Sequence, residues 1–472
     1  MTAREELESA VDELAAFAAE LKFSDVPARA RERVEFLLTD LWGVTVAGAD
    51  TPEMVQLFAA WPTPAGDAPI LGRSQTTIPD NAAFLNAVSA CLLELDEGNK
   101  HSQGHPAVHV VFAAMAAVQW SDRRVTGEEF LVAIIAGYEV AARFGRALSR
   151  NAEWHTHGHW GAVGAACAAA LIAREPVERI AAAMDASGGL MTVTPWAMVL
   201  DGNFTRNLWV AAASTAGLQA ARLAGAGLVA NSGALDSSLG AIVGTLDATS
   251  LLDGLGSRWF ITEGYIKSHS SCAYTHGAID VIQGLKTENA LVLREANTDV
   301  VDVLVTTTSL AQPLFHRNAY NRLSAMFSFP FVVAAALLNE SVDPAAMDPT
   351  GTNFDLAAAF SARVRMATST DFDRLLPTER WVRVEMTLAD GSILVAASAN
   401  PIGDADNSAL GMAQIVDKLR ALIEPDRVSA VVRVVAGLLA SIDVKSTLSA
   451  LGPSGTTMHP NLSRPVRERP GT

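Results

Sequence analysis

The first 265 residues repeat apolar and polar positions in the pattern of amphipathic helices. Between residues 4 and 22, apolar side chains recur every three or four positions and acidic residues come early, which is typical of a helix. Thr126 and Glu129 have the spacing of a capping box at a helix start. Residues 52–78, rich in Pro and Gly, are predicted to form a loop. Helices are predicted over residues 4–22, 27–47, 81–95, 106–120, 126–148, 162–173, 177–187 and 206–224.

The pattern changes after about residue 265, where segments with the β-branched content of strands begin. Residues 299–308 predict one strand. Residues 380–388, the turn pair Asp390-Gly391 and residues 393–398 predict a β-hairpin, because Asp-Gly between two apolar runs favours a tight turn. Further helices are predicted over residues 331–338, 353–364, 409–423 and 426–441.

These elements predict a mainly α protein of two domains. A large all-α helical domain is expected over residues 1–266 plus 400–450, and a smaller α+β domain over residues 267–399 is expected to be inserted into it. A chain of 472 residues is too long for one ordinary core, which agrees with this division. Residues 452–472 have no apolar period and are predicted to be a flexible tail.

Composition narrows the possible partners and compartment. The formal net charge of −16 argues against nucleic acid or an anionic membrane as a partner. The longest apolar runs, of about 13 residues, are too short to cross a bilayer. Only three cysteines occur, and the first residues lack the apolar core of a secretory leader, so we expect a protein of the reducing cytoplasm.

Candidate chemistry is concentrated in three short polar segments. Eight of the ten histidines lie in residues 95–109, 154–161 and 267–276. The first of these joins two apolar segments, yet it carries acids, an amide, a lysine and three histidines. Burying so many polar groups is costly unless each finds a partner or a ligand. We therefore expect the three segments to form one functional site.

A metal centre is one interpretation of the histidines. His101, His105 and His109 follow each other at intervals of four, and His155, His157 and His159 alternate. However, Pro106 interrupts the helix that would align the first set, and neither set matches a known closed ligand motif. No metal ligand is therefore predicted, and a metal-dependent hydrolase is kept as an alternative.

An anion site with acid and base groups accounts better for these residues. Lys100, Arg206 and Lys267 supply positive charge, and Arg206 lies at a helix start, where the backbone also favours an anion. His105 and His155 can transfer protons near neutral pH. The residues predicted to bind substrate are Lys100, His101, Arg206, Cys272 and His276. Those predicted to act in catalysis are Asp96, His105, His155 and Lys267.

Several ordered motifs together resemble the MmgE/PrpD family from about residue 8 to residue 445. The motifs are Asp96-x3-Lys100 with Gly104-His105-Pro106-Ala107, Trp154-His155-x2-Gly158-x-Trp160-Gly161, Arg206-Asn207-Leu208, Lys267-x4-Cys272-x3-His276-x3-Asp280, and residues 325–333. The resemblance implies a large all-α domain, a smaller α+β lid domain and a homodimer.

The resemblance also carries over residue by residue. Asp96, His105, His155 and Lys267 match site positions of the family, and Arg206 falls where cis-aconitate decarboxylases look to have a lysine. Two positions depart from the pattern. Several members look to have threonine in place of Lys100, and the decarboxylases look to have histidine in place of Cys272.

The family chemistry implied is proton transfer next to a carboxylate of a small di- or tricarboxylic acid, without a cofactor. Our interpretation is a lyase that acts chiefly by dehydration, similar to 2-methylcitrate dehydratase. An epimerase or isomerase of an iminodisuccinate-like acid and a cis-aconitate-type decarboxylase are alternatives within the family. A metal-dependent hydrolase or a protein that only binds polycarboxylates is the alternative from another class.

Overall fold

The computed structural model describes residues 2–289 and 296–452, and within them helices dominate. The mainly α prediction is therefore confirmed. The helices are α1 (Ala3–Glu20), α2 (Ala28–Ala49), α3 (Pro52–Ala60), α4 (Pro79–Leu92), α5 (Pro106–Trp120), α6 (Gly127–Ala147), α7 (Gly161–Ile172), α8 (Val177–Ser187), α9 (Trp196–Leu200), α10 (Thr205–Gly225), α11 (Ala248–Leu251), α12 (His276–Glu288), α13 (Ala296–Asp299), α14 (Arg322–Met326), α15 (Phe329–Leu338), α16 (Phe354–Phe360), α17 (Thr370–Asp373), α18 (Met412–Arg420), α19 (Pro425–Leu438) and α20 (Val444–Ser449).

The principal sheet has four strands and lies in the second half of the chain. The strands of the molecule are β1 (Ala68–Pro69), β2 (Thr76–Thr77), β3 (Gly98–Asn99), β4 (Leu148–Arg150), β5 (Gly244–Leu246), β6 (Gly264–Tyr265), β7 (Val300–Thr307), β8 (Val364–Thr368), β9 (Val382–Leu388) and β10 (Ile393–Ser398). The sheet order is β10-β9-β7-β8, with β7 and β8 parallel and the other pairs antiparallel. The predicted hairpin is confirmed as β9 and β10.

Two separate hydrophobic cores organise the described residues. The first draws on residues between Leu7 and Ile266 and again on residues between Leu410 and Leu451. The second draws on residues between Val199 and Leu388, including the buried face of the sheet and the apolar helix α15. The predicted domain boundaries, 1–266 plus 400–450 against 267–399, stay a prediction, although this division of the cores is compatible with them.

Local sequence signals account for most helix ends. The Thr126 side chain accepts from the backbone N–H of Glu129, and the Glu129 carboxylate accepts from the backbone N–H of Thr126, so the predicted capping box is confirmed. Thr2 and Glu5 form the same motif at α1. Pro106 stands at the first turn of α5, where its missing N–H costs no hydrogen bond. None of the helices within residues 2–289 and 296–452 is long and apolar enough to cross a membrane.

The structure differs from the sequence-based predictions of local structure in three places. The predicted loop over residues 52–78 contains α3, which Thr51 caps by accepting from the N–H of Met54. The helix predicted over residues 353–364 is present as α16, followed by a 3₁₀ turn over Ser361–Arg363, but the strand β8 that begins at Val364 and pairs with β7 was not predicted. The part of the chain before residue 266, predicted to be all-α, also contains short strand pairs, among them β3 with β6. Of the predicted flexible tail, residues 453–472 lie outside the described residues.

Candidate active site

The three polar segments meet at one cavity between the two hydrophobic cores. Phe327 and Cys272, which line it, belong to the second core, and the opposite wall comes from the loop after α4 and the segments around β4 and α10. The charged, aromatic and sulfur-containing residues that line it are Glu94, Lys100, His105, Arg150, His155, Trp196, Arg206, Tyr265, Cys272, Tyr274, Phe327 and Arg380. The expectation that these segments share one site therefore matches their placement.

The wall nearest the first core is formed by a break in the chain after α4. The helix ends at Leu92, and Glu94 adopts a backbone φ of 52°, in the left-handed region that residues other than glycine and asparagine rarely occupy. Beyond it, Gly98 and Asn99 pair as β3 with β6, which ties this loop to the segment that carries Lys267. The pairing of β3 with β6 thus fixes the chain just after the strained backbone of Glu94.

Glu94 and Asp96 form a buried charge cluster with Arg206 and Lys267. The Lys267 ammonium lies 3.1 Å from Glu94 Oε2 and 3.6 Å from Asp96 Oδ1, and the Arg206 guanidinium ion-pairs with Glu94 Oε1. All four side chains are at most 1% exposed. Two cations thus face two carboxylates in a region shielded from water, where such pairs interact strongly.

The cluster keeps its members charged against the cost of burial. Burial alone would lower the pKa of the Lys267 ammonium, but Glu94 and Asp96 raise its pKa above the usual value. Burial likewise opposes ionisation of Asp96, yet His105, Lys267 and Arg206 hold the pKa of that carboxyl below its usual range. Lys267 and Asp96 are not among the residues that line the cavity; they reach it through their contacts with Glu94 and His105.

A hydrogen bond to the backbone determines which tautomer the neutral ring of His105 adopts. Its Nδ1 lies 2.6 Å from the carbonyl oxygen of Glu97 and 3.5 Å from Asp96 Oδ2. Because a carbonyl can only accept, Nδ1 carries the hydrogen and Nε2 keeps its lone pair in the neutral ring. Burial lowers the pKa of His105, and the Asp96 carboxylate acts in the opposite direction. The ring is therefore a neutral base with a carboxylate behind it.

His155 has the opposite arrangement. Its Nδ1 accepts a hydrogen bond from the backbone N–H of His157 at 3.2 Å, so the neutral ring carries its hydrogen on Nε2. Burial, then the charges of Arg206 and Arg150, hold the pKa of His155 well below its usual value. The ring of His157 stands edge to face against both His155 and His105, with centroids 4.5 and 4.9 Å away. The cavity thus contains one histidine that can accept a proton and one that can donate.

Lys100 is held by groups of the protein itself. Its ammonium donates to the carbonyl of Thr378 at 2.9 Å, to Asp404 at 3.0 Å and to Asp406 at 2.5 Å. An ammonium has three donors, so all of them are engaged. Arg380 also pairs with Asp404, at 2.7 Å. These contacts join the loop after α4 to the segments just before and just after the hairpin, and we call them the Lys100 latch.

The remaining predicted site residues are distributed on both sides of the cavity wall. Cys272 lines the cavity, and burial raises the pKa of its thiol to about 11, which disfavours the thiolate. His101 lies beside Glu263, with its Nε2 3.0 Å from that carboxylate, and is not a lining residue. His276 does not line the cavity either, and its Nε2 lies 3.1 Å from the carbonyl of Ser271. The substrate contacts predicted for His101 and His276 stay predictions.

Sequence reasoning missed Glu94, Arg150, Tyr274, Arg380 and Asp404. Glu94 carries a signal in hindsight, since it is a lone acid in the apolar run Cys91-Leu92-Leu93-Glu94-Leu95. Arg150 lies just before the segment that starts at Trp154, and Arg380 lies at the start of the predicted hairpin. Neither belongs to a motif, so only the tertiary fold shows that both line the cavity.

A larger cavity of about 580 Å³ lies on the other side of residues 93–95. Its cations are already paired. Arg322 contacts Asp348 at 2.5 Å, and Lys418 contacts Asp40 at 2.7 Å. It also lacks the histidines, so the cavity with His105 and His155 is the candidate active site.

Comparison with known proteins identifies related chains over nearly the whole length. The model described as the MmgE/PrpD N-terminal domain matches residues 12–251, and the MmgE/PrpD C-terminal domain matches residues 269–433. A cis-aconitate decarboxylase of Aspergillus terreus is 24% identical over 474 residues, covering 93% of this chain and 95% of its own. A cis-aconitate decarboxylase-like protein, oryM, of Aspergillus oryzae is 26% identical over 478 residues, covering 93% and 96%.

Proposed function

The chain belongs to the MmgE/PrpD family, and from this membership we propose that it is a cofactor-independent lyase acting on a small di- or tricarboxylic acid. The observation that carries the proposal is the pairing of complementary histidines at one cavity. His105 offers a lone pair on Nε2, and His155 offers a hydrogen on Nε2. An elimination needs both a base and an acid, and the two rings supply them without any change of tautomer.

The proposed reaction is dehydration. His105 Nε2 removes the proton from the carbon next to a carboxylate, and the electrons of that C–H bond form the new C=C bond. The β C–O bond breaks, and the departing hydroxide takes the proton of His155 Nε2 and leaves as water. The His155 imidazolate that results lies near the charge of Arg206, and it regains a proton from the His105 imidazolium, so both rings return to their neutral forms. Asp96, 3.5 Å from His105 Nδ1, stabilises the imidazolium that forms. Arg206 lines the cavity and can stabilise the developing negative charge, although Glu94 and Asp96 leave the cluster as a whole neutral.

Decarboxylation is the second candidate, because the relatives that match nearly the whole chain are named as cis-aconitate decarboxylases. In that case carbon dioxide leaves as the C–C bond breaks, and the protonated partner of the pair delivers a proton to carbon. Epimerisation would use the same base and return the proton to the opposite face. The lid role of residues 267–399, the homodimer and the cytoplasmic location belong to the proposal as expectations.

The test is proton NMR in D2O with the purified protein and citrate-like, cis-aconitate-like and aminosuccinate-like acids. A dehydratase gives a new vinyl signal and water loss, a decarboxylase gives an itaconate-type product, and an epimerase gives deuterium uptake without net conversion. Activity that requires added zinc or manganese and disappears with a chelator would instead support the metal-dependent hydrolase. Binding without turnover of any acid would favour a binding protein.

Variants of the two histidines test the assignment of roles. His105→Ala and His155→Ala are each expected to lower kcat by about 100- to 10,000-fold, the range of a lost general acid or base. His316→Ala is the control, because His316 is half-buried and is not a lining residue of the cavity. Near-normal turnover in either cavity variant contradicts the acid and base roles.

A further inference from the structure

Arg150 is a cation at the cavity without a partner in the described part of the chain. It closes strand β4, lines the cavity, and among residues 2–289 and 296–452 its guanidinium has neither an ion pair nor a hydrogen bond. Its Nη1 is fully shielded from solvent. The side chain as a whole is half-buried, but a shielded N–H group without an acceptor is costly, so this position favours an anion.

The other cations near the cavity are neutralised by the protein. Arg206 and Lys267 face the carboxylates of Glu94 and Asp96. Lys100 and Arg380 are in turn balanced by Asp404 and Asp406. Each group thus matches two positive charges with two negative ones, which leaves Arg150 as the excess positive charge of the site.

The backbone fixes Arg150 firmly enough for it to act as an anchor. Arg150 pairs with Gly244 in the β4–β5 ladder, and the N–H of Asn151 donates to the carbonyl of Val243 at 2.9 Å. Gly244 approaches so closely that a Cβ there would lie 2.2 Å from the carbonyl oxygen of Ser149. Tyr274, which also lines the cavity, is half-buried, and the loss of solvent around its hydroxyl raises the pKa of that group.

We propose that Arg150 binds a carboxylate of the substrate and is the primary anion anchor of this cavity. The planar guanidinium can donate two parallel hydrogen bonds to one carboxylate, a geometry that a lysine cannot reproduce. The identity of the bound acid in this inference rests on the proposed function, whereas the anion site itself is inferred from the contacts of Arg150 alone. The sequence motifs predicted that Lys100, Arg206 and Lys267 bind the substrate carboxylates. The proposal assigns the main carboxylate contact instead to Arg150, which lies outside those motifs.

The experiment measures binding separately from turnover. Calorimetry and thermal shift are run with cis-aconitate, succinate and crotonate, which carry three, two and one carboxylates. Arg150→Met is expected to weaken binding of each acid that the wild type binds by about 10- to 100-fold, and Arg150→Lys to lose less. Arg146→Met is the matched control, because Arg146 lies four residues earlier and pairs with Asp253 outside the cavity at 2.8 Å.

A second readout distinguishes an anchor from a structural residue. Removing an unpaired buried charge is expected to raise the melting temperature of the ligand-free protein, whereas a structural arginine would lower it. Unchanged affinity in Arg150→Met, or affinity lost equally in Arg146→Met, overturns the inference. If the wild type binds an acid but never converts it, the proposed lyase fails while the anchor is still judged by the affinity ratio. A wild type that binds none of the three acids overturns both.

Discussion

Glu94 is the residue on which the buried charge cluster depends, and Glu94→Gln is the sharpest test of it. The substitution keeps the shape of the side chain and the backbone conformation with φ of 52°, so it removes mainly the charge. Arg206 and Lys267, at most 1% exposed, then retain only Asp96 as a counter-charge. Breaking a buried ion pair by removing one partner costs about 3–5 kcal/mol. Because the amide still accepts a hydrogen bond and Asp96 remains 3.6 Å from Lys267, we expect the lower end, about 3 kcal/mol.

The measurement is urea unfolding at pH 7, with the free energy of unfolding compared at an unchanged m value. Glu97→Gln is the matched control, since Glu97 is equally buried and three residues away. Burial raises the pKa of Glu97 to about 8, so that carboxyl is largely neutral at pH 7 and its replacement removes little charge. Glu97→Gln is therefore expected to keep or raise the stability.

A double variant makes the reasoning stricter. Arg206→Met alone is expected to destabilise, because Glu94 and Asp96 then share only Lys267. In the Glu94→Gln background the same change removes the surplus cation and restores balance between Lys267 and Asp96, so it is expected to stabilise by about 1–3 kcal/mol. Additive effects of the two changes, or a loss below about 1 kcal/mol in Glu94→Gln, would refute the account of this cluster.

Two further outcomes follow from buried groups near the cavity. The raised pKa of Glu97 means that the folded protein holds a proton that the unfolded chain releases above about pH 4–5, so this group makes stability fall as pH rises, until the group is ionised above about pH 8. The free energy of unfolding of the wild type is therefore expected to fall by about 3 kcal/mol more than that of Glu97→Gln between pH 6 and pH 9, measured by urea unfolding. Lys100→Met is expected to lower the free energy of unfolding by about 1–3 kcal/mol and to speed hydrogen exchange over residues 376–406. Asp406→Asn is expected to change the free energy of unfolding by less than about 1 kcal/mol, because the Asp406 side chain is 54% exposed. Unchanged exchange in Lys100→Met would contradict the latch.

The fold was largely predictable because its signals are local. The helix predicted over residues 106–120 is α5 without any shift, and the Asp390-Gly391 turn joins β9 and β10 as predicted. Where neighbours in space decide, prediction was incomplete. The strand β8 was not predicted, because its sequence gives no sign of the parallel pairing with β7.

The site was predictable to the extent that its chemistry is clustered in sequence. The three histidine-rich segments meet at one cavity, and His105 and His155 both line it. The partners could not be predicted, because the carboxylates that hold Lys100 lie 304 and 306 residues away. Whether a cation is free to bind a substrate depends on such partners. Sequence alone therefore could not distinguish Lys100, which is paired within the protein, from Arg150, which has no partner among the described residues.

The Lys100 latch also has a consequence for the order in which the protein assembles during synthesis. At about 5–20 residues per second, the 304 residues between Lys100 and Asp404 take about 15–60 s to emerge. Lys267, the partner of Glu94, follows it by 173 residues. For that interval the nascent chain carries a polar segment whose stabilising partners have not been made. The cavity wall that carries Lys100 can therefore be completed only as a late step, after translation has passed Asp406.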